Sequence, residues 1–262
     1  MIKSNCSRHR IYTGIVKGFI LSLSLHVFLA YGASEEIQVY TDDKEDAGEY
    51  SIDWHNNYVV SGRSTPQYPG EQAPHHIYRL TPEFNLGLTD TLELGVYLLS
   101  TRNTEGHWNG DGFKVRLKYI APHQTEGIYW GLNFETGKQA LAVSQYPRDA
   151  QLKAIWGWNL GNWNIAFNLN TDGSFNSGSG KPTEDIDFKV NYKVAEKTQL
   201  GIESYSQLGP YTHFDSFNSN SKVIFAVVDS ELLGHEFNAG IGRGMNDASD
   251  KWVFKFIINS KF

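Results

Sequence analysis

Apolar and polar residues alternate along almost the whole chain, in twelve runs, and the spacing of an amphipathic helix is absent. In FKVRLKYI, Phe113, Val115, Leu117 and Tyr119 face one way and Lys114, Arg116 and Lys118 the other. In GIYWGLNFE, Ile128, Trp130, Leu132 and Phe134 oppose Tyr129, Asn133 and Glu135, and in DIDFKVNY, Ile186, Phe188, Val190 and Tyr192 oppose Asp187, Lys189 and Asn191. Most runs are about 8–12 residues long, and a strand tilted through a bilayer needs about 9–11.

The connections alternate as well. Thr89-Asp90, Pro122 to Glu126, Gly161-Asn162 and Ala195 to Lys197 are short. SGRSTPQYPGEQAPHH, TRNTEGHWNGDG, GKQALAVSQYPRD, TDGSFNSGSGKPTE, LGPYTHFDSFNSNS and RGMNDASD are long and turn-rich. Short turns at one end and long loops at the other, with both termini on the turn side, predict an all-β, transmembrane, antiparallel up-and-down barrel of about twelve strands over residues 49–262. Alternation alone also fits an inverted soluble cup. Twelve strands exceed the eight of such cups, however, and the interior would have to hold an excess of Trp, Phe and Tyr. Apolar outside and polar inside fits lipid. The mean hydropathy of −0.41 agrees, because only half the strand residues would touch the bilayer.

At the N-terminus, Lys3, Arg8, Arg10 and Lys17 precede GFILSLSLHVFLAYGA, the layout of a secretory signal with a cut after Gly32. A membrane-spanning helix is the alternative, but the run is short and carries His26 and several serines. Cys6 is the only cysteine and leaves with the signal, so neither disulfides nor thiolate metal sites hold the mature chain. Losing four bases moves the formal charge from −6 to −10. Residues 33–48 are strongly acidic, and they read as a mostly extended periplasmic lead-in. No basic stripe suggests nucleic-acid binding.

The chain ends in KWVFKFIINSKF. Trp252, Phe254, Phe256 and the terminal Phe262 put aromatics on one face of a closing strand, resembling the signal read by the outer-membrane assembly machinery. A wider resemblance rests on EIQVYTDD, NYVVSGRS, YPGEQAPHHIYRLTPEFNLGLTDTLELGVYL, KVRLKYIAPH, GIYWGLNFE and GIGRGMNDASDKWVFKFII. These stretches resemble a porin-like or transporter-like bacterial outer-membrane family, related to the outer-membrane protein of the phenol-degradation meta-pathway. The resemblance spans nearly all of the mature chain and implies a barrel with a channel role.

Parity assigns Asp53, His55, Arg79, Glu83, Glu93, Lys114, Arg116, Lys118, Glu135, Lys153, Asp187, Lys189, Glu203, Glu236 and Lys255 to the lumen. Their signs are nearly balanced, so strong ion selectivity is not indicated. Two readings stay open: a polar channel with opposed charges at a constriction, or a salt-bridged, filled interior that supports the wall. Barrel enzymes use Ser/His or acid/His sets, and the histidines here stand at no recognisable spacing. His75-His76 lacks a third ligand, and GIGRGMNDASD is a hairpin loop and not a phosphate cradle. Pro82, inside a strand, predicts a local bulge or bend that would shift the facing of the residues before it, including Arg79. The expected activity is a passive outer-membrane channel for small polar or amphipathic solutes, with a non-transporting scaffold as the alternative. Expected partners are outer-membrane lipid and the assembly machinery; no cofactor is expected and the solute is unassigned.

Overall fold

A computed structural model describes residues 36–175 and 180–262. The expected signal segment, residues 1–32, and Cys6 within it lie outside the described residues. Twelve antiparallel strands run in chain order. The first four are β1 (Tyr50–Ser61), β2 (Tyr78–Thr89), β3 (Leu92–Arg102) and β4 (Trp108–Ile120). Then come β5 (Gly127–Gln139), β6 (Arg148–Leu160), β7 (Trp163–Ser174) and β8 (Thr183–Ala195). The last four are β9 (Thr198–Pro210), β10 (Lys222–Leu232), β11 (His235–Gly244) and β12 (Trp252–Lys261). Each pairs with its sequence neighbours, and β1 pairs with β12, so the sheet closes into a barrel with no free edge. Among the described residues no helix is long and apolar enough to cross a membrane.

Closure sets the two faces. Along β5, Ile128, Trp130, Leu132 and Phe134 are exposed while Tyr129, Asn133 and Glu135 are buried. Aromatics ring the outside near both ends. Tyr119 meets Trp130 and Trp163 meets Tyr192 at the short-turn end, with ring centroids 5.7 and 4.7 Å apart; Tyr78 meets Trp108 at 5.8 Å at the long-loop end. An apolar band between two aromatic girdles is the outer surface that a bilayer selects. At the seam, Trp252, Phe254 and Phe256 point outward, and the Phe262 N–H donates to the Tyr50 carbonyl at 3.1 Å.

Several expectations need correction. Pro82 makes no bulge. Leu80 pairs with Ser100 and Glu83 with Tyr97, so the register is the same on both sides of Pro82 and only the pairs at Thr81 and Pro82 lapse; the shift in this strand pair comes later, between Gly87 and Thr89. Pro82 faces outward and Arg79 keeps its inward facing. One bulge lies in β4, where Asp111 is the extra residue between Gly110 and Gly112, so HWNGDG belongs largely to a strand. The β10–β11 turn is Leu233-Gly234, with Leu233 at φ 56° where Asn or Gly would have marked a hairpin.

The largest correction concerns the acidic lead-in. Within its described part, residues 36–42 with Lys44 and Glu45 are buried or half-buried inside the barrel and not in free solvent, while Asp43 and Asp46 stay exposed. Ile37, Val39 and Tyr40 are buried, Val39 to 1% exposure. The chain enters at the short-turn end, where the Gly48 N–H donates to the Gly87 carbonyl and the Gly87 N–H to the Glu49 carbonyl. Burial of these apolar side chains, together with polar partners for the backbone, outweighs the solvation of the neighbouring acids.

Candidate lumenal site

The inward residues form two charge networks and one cavity. The first network is centred on Arg116. Its guanidinium reaches past β3 to Glu83 on β2, and its Nη2 donates to Asn85 and Glu93, both at 2.7 Å. Gly95 on β3 makes this reach possible: a Cβ there would lie 2.6 Å from Arg116 Nε and 2.9 Å from Glu83 Oε1. Lys118 holds Glu93 at 2.9 Å, and His55 Nε2 meets Glu83 at 3.0 Å. Lys114 pairs with Glu135 on the adjacent strand at 2.8 Å. The β4 bases are therefore neutralised by acids on nearby strands, and do not face an acidic ladder across an open pore.

The second network is centred on Glu203, which binds Lys255, Lys189 at 3.2 Å and the Tyr205 hydroxyl at 2.6 Å. Lys189 also holds Asp229 at 2.7 Å. Asp53 accepts from Asn85 at 2.8 Å and Asn259 at 2.7 Å.

Residues 36–46 tie these networks together. Lys255 Nζ donates to the Ile37 carbonyl at 3.0 Å. The Asn168 amide closes two bonds on the Tyr40 backbone, at 2.7 and 2.9 Å. The Tyr40 and Tyr97 hydroxyls lie 2.8 Å apart, and Lys153 Nζ sits 4.0 Å from the Tyr40 ring centroid. The Glu45 N–H donates to Glu93 at 2.5 Å, and Asp42 meets His123 at 2.9 Å by the β4–β5 turn. The segment is bonded to strands around much of the wall.

Each inward residue expected from parity faces the interior and is buried or half-buried, except Glu236. That side chain stands at the short-turn rim, 64% exposed and 4.0 Å from Lys261, because β11 begins only one residue before it. Arg79 lies near Tyr68 and Asp250 beneath the long loops. There the β1–β2 loop folds inward around an Arg63–Glu71 pair at 2.9 Å, and burial pushes the Tyr68 phenol up to about 12. Burial likewise raises the Asp250 carboxyl above its usual range, against the nearby Arg63. Glu36, His55 and Glu83 offer metal-type ligand atoms all within 4.8 Å of one another. Both Glu83 oxygens are already held by Arg116 and His55, so the group belongs to the ion-pair network.

Toward the loop end the lumen opens into a cavity of about 250 Å³. Seven carboxylates and three lysines line it, with Asp149, Asp172, Asp185 and Asp187 on β6–β8. The side from β9 to β12 is apolar: Val223, Phe225 and Val253 pack with Ile37, and Tyr205 meets Phe225 edge-on at 5.6 Å. Sequence reasoning missed this inward apolar patch. In KVIFAVVD apolar residues occupy both parities, so alternation does not reveal which of them face inside.

No protein-family model matches the chain, and no curated protein sequence matches it. Solved structures do. An outer membrane channel from Pseudomonas putida F1 superposes with a TM-score of 0.58 at 11% identity, over 87% of this chain and all of the other. The KdgM porin, also solved in complex with disordered oligogalacturonate, gives 0.54 at 10% identity, over 81% of this chain and 99% of its own. The NanC porin gives 0.53 at 13% identity, over 79% and 97%.

The fold is that of an outer-membrane porin-type barrel. Identities this low carry the architecture alone.

Proposed function

We propose that this chain is an outer-membrane channel for small polar or amphipathic solutes, whose lumen holds residues 36–46 as an internal plug. The observation that carries the reading is a closed twelve-strand barrel with an apolar band outside and ionised groups inside. Such a body partitions into lipid with its polar groups directed away from it. Its likeness to a channel and two porins supports the same reading over an enzymatic one. The proposal includes export by the signal sequence, recognition of β12 and Phe262 by the assembly machinery, and the narrower kinship with the phenol meta-pathway protein. The fifteen parity-assigned residues act in it chiefly as wall braces and plug anchors.

The filled lumen favours a second reading, a non-transporting scaffold whose long loops do the work. Planar-bilayer conductance decides between them. The full chain should conduct weakly or intermittently, and a variant lacking residues 36–46 should show a larger, steady conductance. A folded deletion variant that conducts nothing would establish the scaffold.

A further inference from the structure

We infer that the loop-side cavity is a binding site for a small amphipathic organic cation, an ammonium group carried on an apolar body. The inference deepens the channel reading by naming a class of solute, and needs from it only that the cavity be reachable.

Acceptors without donors converge on one wall. Asp187 accepts from Asn170 Nδ2 at 2.7 Å, which fixes the Asn170 amide and leaves its carbonyl oxygen without a donor. Asn170 is 4% exposed and lines the cavity. Asp172 accepts from Gln151 at 3.0 Å through Oδ1, while its Oδ2 has no donor; neither has Asp185 Oδ1. The β7–β8 register sets Asn170 directly opposite Asp185, with Asp172 two residues along. Directly opposite side chains on one face of a sheet stand about 5 Å apart and diagonal ones about 7–8 Å, so the three oxygens border one shared space. Buried acceptors left empty are costly, and an ammonium is a donor-only group with three N–H bonds to give.

The rest of the cavity decides what carries that ammonium. Carboxylates outnumber lysines on the lining seven to three. Of those lysines, Lys114 is held by Glu135, Lys153 lies over Tyr40, and Lys181 donates to Thr212. An anion would meet net repulsion here. A bare metal cation would leave the apolar part of the lining, where Val223 is half-buried and Phe225, Val253 and Ile37 form the wall behind it, without a partner. An amine with an apolar body satisfies both walls, in a volume suited to a small organic molecule.

Calorimetric titration of the detergent-solubilised barrel tests this without any need for conduction. Phenethylamine, phenethyl alcohol and phenylacetate share a ring and differ in charge. Phenethylamine should bind saturably and about tenfold or more tighter than either of the others, the effect of charge-assisted hydrogen bonds. An Asp172→Asn/Asp185→Asn variant, with folding checked by heat-modifiable gel migration, should lose about tenfold or more in phenethylamine affinity. Should that variant fail to fold, Val223→Ser serves: it should weaken phenethylamine while leaving methylamine unchanged. The proposal is overturned if the three probes bind alike, if none binds, or if the folded variants bind phenethylamine like the parent chain. Binding without conductance would remove the channel reading and leave the site standing.

Discussion

Lys255 on β12 meets Glu203 on β9 across the interior, although β10 and β11 lie between their strands in the wall. The pair is fully buried, and the same lysine holds the Ile37 carbonyl. It is a cross-brace that spans the curve of the barrel and grips the plug.

Removing one partner of such a pair leaves a buried charge uncompensated. Glu203→Gln should therefore destabilise the barrel by about 3–5 kcal/mol, since both Lys255 and Lys189 lose their carboxylate. Urea unfolding followed by gel migration measures the midpoint. An unchanged midpoint would show that the brace bears no load.

Gly95→Ala tests the Arg116 network through the strand it crosses. The added methyl would collide with Arg116 and Glu83, so the guanidinium must withdraw, at a cost of about 1–3 kcal/mol. Leu117→Ala on the outer face should leave that network intact. Equal effects of the two substitutions on unfolding in detergent would contradict the assignment.

Deletion of Phe262 removes the N–H bond to Tyr50 and the ring stacked on it at 5.9 Å. Assembly into the outer membrane should fall well below that of a chain lacking one loop residue such as Ser216. Heat-modifiable migration of the membrane fraction reports the folded share, and normal insertion would refute a role for the terminal aromatic.

Orientation is open to single-cysteine labelling, because residues 33–262 contain no cysteine. An impermeant maleimide on whole cells should modify Ser216→Cys in the β9–β10 loop and spare Asp90→Cys in the β2–β3 turn; both positions are exposed. The reverse pattern would invert the barrel.

Asp250 gives a pH signature. Its carboxyl titrates higher in the folded chain than unfolded, so the folded state binds the proton more tightly, and this contribution to stability declines as pH rises through that interval. Asp250→Asn should thus gain on the parent chain as pH rises from the ordinary aspartate range, about 4, and the folded carboxyl becomes charged. Parallel unfolding midpoints over that rise would exclude the effect.

The barrel itself was legible in the sequence, since a closed sheet imposes the same period of two on every strand. The inward side of Arg116, Glu203 and Lys255 followed from that period. Their partners did not: Arg116 skips a strand to reach Glu83, and only Gly95 hints at the gap. The lumenal seat of Ile37 and Tyr40 was hidden for a related reason. The groups that draw them in, Lys255, Asn168 and Tyr97, lie on three separated strands, while the local composition around them is that of a solvated acidic tail. Local pattern reports the face of a strand; it does not report who meets whom across a cavity.

Residues 36–46 run directly into β1, and β1 forms the seam with β12. One of the two strands that seal the cylinder thus carries the cylinder's filling on its own leash. Were the seam to zip first, the leash would have to be fed afterwards into a lumen already cross-linked by Lys255 and Glu203. Seating the filling and closing the seam are therefore geometrically linked, because β1 takes part in both.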